Sequence, residues 1–547
     1  MDQIKVMYVS NESGIGGAMQ SLLDMIKSLE KQIKPVVLLP SKGVSEGWLS
    51  ARGIPYFIVP YQMSYGKIGN QTKTVVDELF VNNYTAALKI AEIIKNENIQ
   101  LVHSNSIVTN VGAIASLIAE VPHVWHIREL LEEDFEKEIY DKGLARLLHN
   151  YADDFVSISE VVGKSYSEKY GLKSAVIYDG IDLERYRNNL DLQKKKKNFL
   201  LLAGIIQSGK GQWEAVQAIE ILAADNRRDI HLIIVGKGSD KYVWSLKKYI
   251  KSKGLENNIH IFQEKQDLSP FRKQCMFSLT TSKMEALGRV TIEAMLAGNI
   301  VIGANSGGTL EILGGQQDRG YLYQQGNPQS LASVIKDAMD ENDARKCNIQ
   351  KNAQKYAIEQ FNLEKYEKDI LRIYEKAMKG KKSWEAASRK ALVRDLFLRY
   401  QHLMERKILA EEKNNLDKWH ALFLINNRWL QIRQHGNSLT DFFLKNNMKH
   451  IAIYGIGHLG RSLYDELEGS NVTVRYVIDR NPGIMMDLIT VVSPDSVLKE
   501  VDVIVITALE AEEIKIYLEE RYSYKIIKLT DILTDLEEDR EESGLRK

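Results

Sequence analysis

Cysteine is nearly absent, Cys275 and Cys347 being the only two in 547 residues. Two thiols cannot build a disulfide framework or a cysteine zinc cluster, and their scarcity fits a reducing compartment. An excess of either charge is missing as well, since 73 Lys+Arg balance 73 Asp+Glu. The chain therefore has no global positive field for nucleic acid or anionic lipid, and a role of that kind would need a local patch. No apolar run approaches the roughly 18 residues of a membrane-spanning helix. The opening MDQIKVMYVS lacks a basic stretch followed by a long apolar one, so it reads as a first β-strand rather than a signal peptide. What is present is 44% apolar and 27% charged residues, the composition of a globular protein of about three or four domains. A multi-domain cytoplasmic protein without a nucleic-acid partner is expected.

Residues 1–180 alternate short apolar runs (IKVMYVS, KPVVLLP, PYFIVP, QLVHSNS, PHVWHI, DFVSIS) with amphipathic segments such as Met19–Glu30 and Thr85–Asn96. Nearly continuous apolar strands between such helices indicate a parallel sheet covered on both faces, the doubly wound α/β arrangement. The run KKKKN at Lys194–Asn198 reads as a hydrated connector. The α/β pattern then restarts within 181–380, with NFLLLAGI, IHLIIVG, NIHIF, MFSLTTS and NIVIGA as strands. Two α/β halves of similar size imply a cleft at the C-terminal ends of their strands. Residues 381–445 read as a helical connector. Between Lys376 and Lys407 ten Lys/Arg stand against three Asp/Glu, with Trp384, Val393, Phe397, Tyr400 and Met404 interleaved. Such a helix either lies on an anionic membrane surface or packs between domains. Residues 446–547 make a third α/β unit, with five strands in HIAIYGIGHLG, VTVRYVID, ITVVS, VDVIVIT and KIIKL.

The segment TTSKMEALGRVTIEAMLAGNIVIGANSGGTLEIL carries the most chemistry. A strand ends near Ser282, a helix starts near Gly288, and Gly298 closes it. Glu285 then lies in the loop and Glu293 about one and a half turns into the helix. The free amides around Gly288, Arg289 and Val290 favour a diphosphate, and a carboxylate on each side accepts hydrogen bonds from sugar hydroxyls.

This segment resembles the E-x7-E signature of retaining glycosyltransferases of GT-B architecture, the family-4 type. NESGIGGAMQSLLDM, AGIIQSGKGQWEAVQAI and HLIIVGKG resemble the N-terminal glycine loop of that family, the start of its nucleotide-binding half and the following strand. The resemblance spans about residues 4–380. It implies two Rossmann-like doubly wound domains facing a cleft, an acceptor side over 1–180 and a nucleotide-sugar side over 181–380. By the same resemblance Glu293 binds the ribose, Glu285 holds hydroxyls of the transferred sugar, and Gly288, Arg289 and Val290 offer amides to sugar and diphosphate. Lys210 neutralises the departing diphosphate, Gly16 and Gly17 let the opposite backbone approach it, and Thr309 and Glu311 lie on the loop closing the nucleotide pocket. His126 faces the reacting sugar, with Arg128 and Glu129 toward the acceptor, while His103 is expected to pack. Catalysis is thus assigned to Glu285, His126 and Lys210.

Ile205 stands where many relatives carry a phosphate-binding arginine, leaving Gln207, Ser208 or Arg289 to compensate. No D-x-D triplet occurs, so a metal-independent reaction is expected. The reaction implied is transfer with retention from a nucleotide sugar, a UDP-sugar by family frequency, to a hydroxyl of a glycan or lipid-linked acceptor. No cofactor is required.

In the third unit, Gly455, Gly457 and Gly460 form G-x-G-x-x-G after a strand, with Asp479 about twenty residues on, the pattern of a dinucleotide site. The unit resembles small Rossmann-type modules attached to enzymes of bacterial surface-glycan synthesis. Two readings stay open for it: NAD(P) binding, or a folded module used for docking or oligomerisation. The whole chain is expected to build a surface polysaccharide at the inner membrane face. The alternatives are a catalytically silent scaffold and a bifunctional enzyme.

Overall fold

The computed structural model describes residues 3–544 except Ile15, Asn70, 184–195, 264–266, 380–385 and 481–488. The chain forms two compact units, Met1–Leu403 and Met404–Lys547. The first holds two parallel sheets. One has seven strands in the order Tyr56–Ile58, Ile33–Leu39, Ile4–Val9, Leu101–Ser104, His123–Ile127, Asp154–Ser157 and Ala175–Val176. The other has six, in the order Ile259–Phe262, His231–Val235, Lys196–Ala203, Cys275–Thr280, Ile300–Ala304 and Tyr321–Tyr323. In both, the chain starts at the centre, winds to one edge and returns to build the other side. That reversal opens a crevice beyond the carboxyl ends of the central strands, where ligands of such sheets bind. The strands are apolar on both faces because helices cover both, as in Cys275–Thr280, buried throughout.

All the strands expected from apolar runs form. Three short features were not among those runs: the edge strands Ala175–Val176 and Tyr321–Tyr323, and an antiparallel pair, Tyr65–Lys67 with Lys137–Ile139. In the expected connector Lys194–Asn198, Lys194 and Lys195 fall outside the described residues. The remainder opens the strand Lys196–Ala203, with Lys197 Nζ paired to Asp343 at 2.7 Å. The basic run is therefore partly sheet, its ammonium groups left at the exposed end.

The helix Leu363–Lys379 was expected with the second half, yet it packs into the core of the first. Tyr366, Ile370, Ile373 and Tyr374 share one face and join Val6, Tyr8, Met19 and Leu22. Tyr374 and Tyr8 hydroxyls lie 3.1 Å apart.

The boundary between the units falls inside the helix Ala386–Gln434. Within the first unit, its Leu392 and Leu396 are buried, Tyr400 stacks on Tyr84 at 4.9 Å, and Arg399 pairs with Asp141 at 2.7 Å. Arg389 donates to the Ser116 and Val121 carbonyls. Much of the apolar face considered for a membrane is thus packed against protein, Phe397 remains exposed, and Trp384 lies outside the described residues.

The second unit has a five-stranded parallel sheet ordered Val491–Val492, Thr473–Ile478, His450–Tyr454, Val503–Ile506, Lys525–Lys528, again doubly wound. Trp429 and Ile432 of the long helix are buried in its core. Leu409, Leu416, Phe423 and Leu430 recur every seven residues and are 64%, 70%, 65% and 54% exposed. Among the described residues no helix is long and apolar enough to cross a membrane.

Candidate active site

A cavity of about 410 Å³ lies between the two halves of the first unit, at the carboxyl ends of their strands. Its second-half wall is built by two glycine turns. The first follows the strand Lys196–Ala203: Ser208–Lys210 makes one tight helical turn that Gly211 ends at φ 69°. A Cβ on Gly211 would overlap the Thr281 carbonyl, and Thr281 Oγ1 donates to the Lys210 carbonyl at 2.9 Å. The turn is thereby clamped to the end of the strand Cys275–Thr280. The second is Gly288, which precedes the helix Arg289–Leu296 at φ 88°, a conformation few side chains adopt. The first amides of that helix have no intrahelical partner and carry the positive end of its dipole.

These turns bring Lys210 and Glu285 together. Lys210 Nζ lies 2.8 Å from Glu285 Oε1, which also accepts from Ser282 Oγ at 2.5 Å. Burial opposes the charge of Lys210, but Glu285 and Asp134 outweigh it and hold its pKa above the usual lysine value. Gly288, Arg289 and Val290 line the cavity beside the pair.

The first-half wall is made of side chains. Arg128 follows the strand His123–Ile127 and pairs with Asp179 at 2.6 Å, both nearly inaccessible to solvent. Arg128 Nε donates to Asn105 Oδ1 at 2.7 Å, and Asp179 accepts from Ser21 Oγ at 2.7 Å. Burial opposes the charge of Asp179, yet Arg128 and Arg289 overcome it and keep its pKa below the ordinary carboxylate value. Glu129 is raised by burial although it accepts from the Ser106 hydroxyl and the Ile107 and Arg128 amides. Arg289 crosses the cleft to meet Asp24 at 2.8 Å and Ser21 Oγ at 3.0 Å. Three cations on the lining, Arg128, Lys210 and Arg289, thus face four carboxylates, Glu129, Asp134, Asp179 and Glu285. Each cation already has a carboxylate partner, so an incoming diphosphate has to compete for one.

Several expected residues take other places. Glu293 is not on the lining; its Oε2 is paired with Arg272 Nη2 at 2.5 Å. Glu311 caps a first-half helix, accepting from the Glu160 and Val161 amides at 2.9 and 3.0 Å and from Tyr178 at 2.7 Å. Thr309 is buried, its methyl lying where a Cβ on Gly303 would stand. Gly17 lines the cavity, but the space beside Gly16 is filled by the Glu12 carboxylate, which accepts from the Met19 amide at 3.1 Å. His126 is fully buried and is not on the lining of this cavity. Its Nδ1 is 3.3 Å from both His103 Nε2 and Arg128 Nη2. Burial, then Arg128, keeps both histidines well below the usual value and hence neutral. Of the candidates to replace the arginine missing at Ile205, Gln207 and Arg289 line the cavity and Ser208 does not.

Asp134, Asp179, Tyr65 and Phe135 also line it without having been expected. Asp134 and Phe135 sit in the charged run LLEEDFEKE, which reads as solvated surface, and Asp179 reads as part of an ordinary Asp-Gly turn.

In the second unit Gly455 has φ 96°, and a Cβ on Gly460 would overlap the Gly455 carbonyl, so the glycine loop lies close against its helix. Asp479 Oδ2 accepts from the Ile456 amide at 3.0 Å, within that loop.

Comparison with known proteins bears on the family and the fold. Glycosyltransferase Family 4 matches residues 15–185, and Glycosyl transferases group 1 matches residues 184–360. An uncharacterized glycosyltransferase of Methanocaldococcus jannaschii is 25% identical over 297 residues, 53% of this chain and 79% of that protein. The capsular polysaccharide biosynthesis glycosyltransferase CapH of Staphylococcus aureus is 22% identical over 312 residues, 55% of this chain and 81% of its own. The structure of Anabaena HepE in complex with UDP superposes with a TM-score of 0.57 at 23% identity, over 68% of this chain and all of HepE; HepE is also known in complex with UDP-glucose. The two family matches together span residues 15–360, and the chain belongs to the glycosyltransferases of family-4 type with GT-B architecture.

Proposed function

We propose that the first unit moves a sugar from a nucleotide sugar, a UDP-sugar in the first instance, to an acceptor hydroxyl with retention of configuration and without a metal ion. The Lys210–Glu285 pair beside the amide-bearing start of Arg289–Leu296 carries this reading. The diphosphate takes the amides and draws Lys210 from Glu285, whose carboxylate then accepts hydrogen bonds from the sugar. The anomeric C–O bond breaks with its electron pair moving onto the leaving phosphate oxygen. A new C–O bond forms to the acceptor oxygen on the same face, and the acceptor proton passes to the departing diphosphate. Lys210 stabilises the charge that develops there.

The acceptor is a glycan or a lipid-linked sugar of bacterial surface-polysaccharide synthesis, a reading supported by the likeness to CapH. Peripheral contact with the inner membrane face rests on the exposed Lys390 and Arg394, and co-sedimentation with anionic vesicles tests it. Self-association rests on the exposed seven-residue repeat Leu409, Leu416, Phe423, Leu430; a monomeric mass by light scattering removes it.

The deciding experiment is a thermal-shift panel of UDP-, GDP-, ADP- and dTDP-sugars on wild type and Lys210→Ala. A ligand at about 100 times its Kd stabilises the fold by roughly 2.7 kcal/mol. One sugar nucleotide is expected to shift wild type and not the variant, and NMR of the product reads the anomeric outcome with and without EDTA. A second reading, NAD(P) binding by the second unit, is favoured by the close Gly455–Gly460 approach. Calorimetric titration with NAD and NADP tests it.

A further inference from the structure

Of the four carboxylates on the cavity wall, three are already bonded: Glu285 to Lys210 and Ser282, Asp179 to Arg128 and Ser21, and Glu129 to Ser106 and two amides. Asp134 differs. Among the described residues no hydrogen bond or ion pair holds its carboxylate, although it is partly buried and feels the charges of both Lys210 and Glu285. The loop that carries it is held against the opposite wall: its backbone carbonyl lies 4.0 Å from where a Cβ on Gly209 would stand, and Glu136 pairs with Lys283 at 3.2 Å. Phe135, 46% exposed, and Tyr65 are on the same lining.

We propose that Asp134 receives a hydroxyl of the acceptor, and that the acceptor ring bound there, against Phe135 and Tyr65, is a neutral pyranose rather than a phosphorylated sugar. This rests on the transferase reading above. An unbonded carboxylate in a half-dry wall is stabilised by a hydroxyl donor and destabilised by an anion. Aromatic side chains supply a flat apolar surface for the C–H face of a ring. Among the described residues the one cation of this wall, Arg128, is committed to Asp179 and Asn105, so none there is left for a phosphate. Lys137 lies over the Tyr65 ring at 4.6 Å and is not on the lining. Burial, offset by Lys210 and augmented by Glu285, raises the Asp134 pKa to about 6, so the group is mainly ionised at neutral pH and acts as a hydrogen-bond acceptor.

The test uses the full chain with whichever sugar nucleotide gives the thermal shift. UDP (or the matching nucleotide) release is measured with a panel of methyl α- and β-hexopyranosides beside the corresponding hexose 6-phosphates. At least one neutral glycoside is expected to accelerate release, ahead of every hexose phosphate. Asp134→Asn should raise its KM about tenfold or more, the loss expected for a hydrogen bond to a charged group. Phe135→Ala, at an exposed side chain, should raise it severalfold. Calorimetric Kd values for the free nucleotide should stay within twofold in both variants. Preference for a phosphorylated sugar, an unchanged KM in Asp134→Asn, or a nucleotide Kd that rises in step with the KM overturns the proposal. Nucleotide binding without stimulation by any glycoside also overturns it while leaving the transferase reading intact. A chain that binds no sugar nucleotide overturns both.

Discussion

Where the second-half wall of the cleft presents main chain, held by Gly211 and Gly288 in left-handed conformations, the first-half wall presents the side chains of Arg128, Glu129, Asp134 and Asp179. Main-chain amides at a helix start meet a phosphate with little side-chain entropy left to lose, and any phosphate suits them. Charged side chains in a dry wall select more narrowly, but each depends on a partner for its own stability. The geometry of the donor wall is therefore sensitive to an added methyl group, and the stability of the acceptor wall to a removed charge. Arg289 joins the two, since it starts the donor helix and reaches Asp24 and Ser21 of the first half.

Breaking the first-half wall should have the largest effect. Arg128→Ala takes the nearest cation from buried Asp179 and leaves it Ser21 Oγ and, at 3.9 Å, Arg289, so a loss of up to about 3–5 kcal/mol in urea unfolding is expected. Pairing Arg128→Met with Asp179→Asn should recover much of it, and a single-variant loss below about 1 kcal/mol would show that the pair does not support the wall. On the second-half wall, Lys210→Ala should lower kcat about 100- to 1,000-fold, roughly 2.7–4 kcal/mol, with a smaller loss of stability than Arg128→Ala because Glu285 keeps its bond to Ser282. Gly211→Ala comes next. Its φ of 69° and the overlap with Thr281 force the turn to shift, so Lys210 moves while its charge remains. A kcat loss of about tenfold or more, with a smaller effect on stability, would separate positioning from charge. An unchanged kcat would show that the turn tolerates a Cβ and that glycine is not what places Lys210.

The same contrast decides what the sequence made legible. Lys210, Glu285 and Gly288 were readable because strand, glycine and helix follow one another locally, and the turn alone sets their positions. Glu293 and Glu311 were readable as members of a motif but not by contact. Arg272 and the Glu160 amide that hold them come from 21 residues upstream and from the opposite half. His126 was correctly placed at the end of a strand, yet adjacent strand residues point to opposite faces. The neighbours on its face are His103 and, through His103, Tyr374, from segments whose meeting no local pattern announces. The return of Leu363–Lys379 has the same cause. Periodicity identifies a buried face, but not which of two similar sheets will cover it. Asp134 gave no signal, because a carboxylate among carboxylates looks solvated until the opposing wall is in place.

The smallest effect per residue concerns acid. His103, His123, His126 and His149 all belong to the first half and are buried, and burial is the main cause that lowers each, His123 to about 3 and His149 to about 4. A histidine in the unfolded chain titrates near 6.5. These groups therefore bind protons in the unfolded state before they do in the folded one. Stability should be unaffected above about pH 7 and should fall as pH drops below 6.5, continuing down to the folded pKa values, with a slope of at most about 1.4 kcal/mol per pH unit for each histidine. His149 is the cleanest place to test it, because its ring lies among Trp125, Phe155 and Tyr170 at 5.1–6.0 Å, aromatic surroundings that suit a phenyl ring. Melting curves from pH 7.5 to 5 should be flatter for His149→Phe by one histidine's share. Equal slopes in variant and wild type would mean that His149 opens to water in the folded state, and that this part of the first half is less dry than the wall it supports.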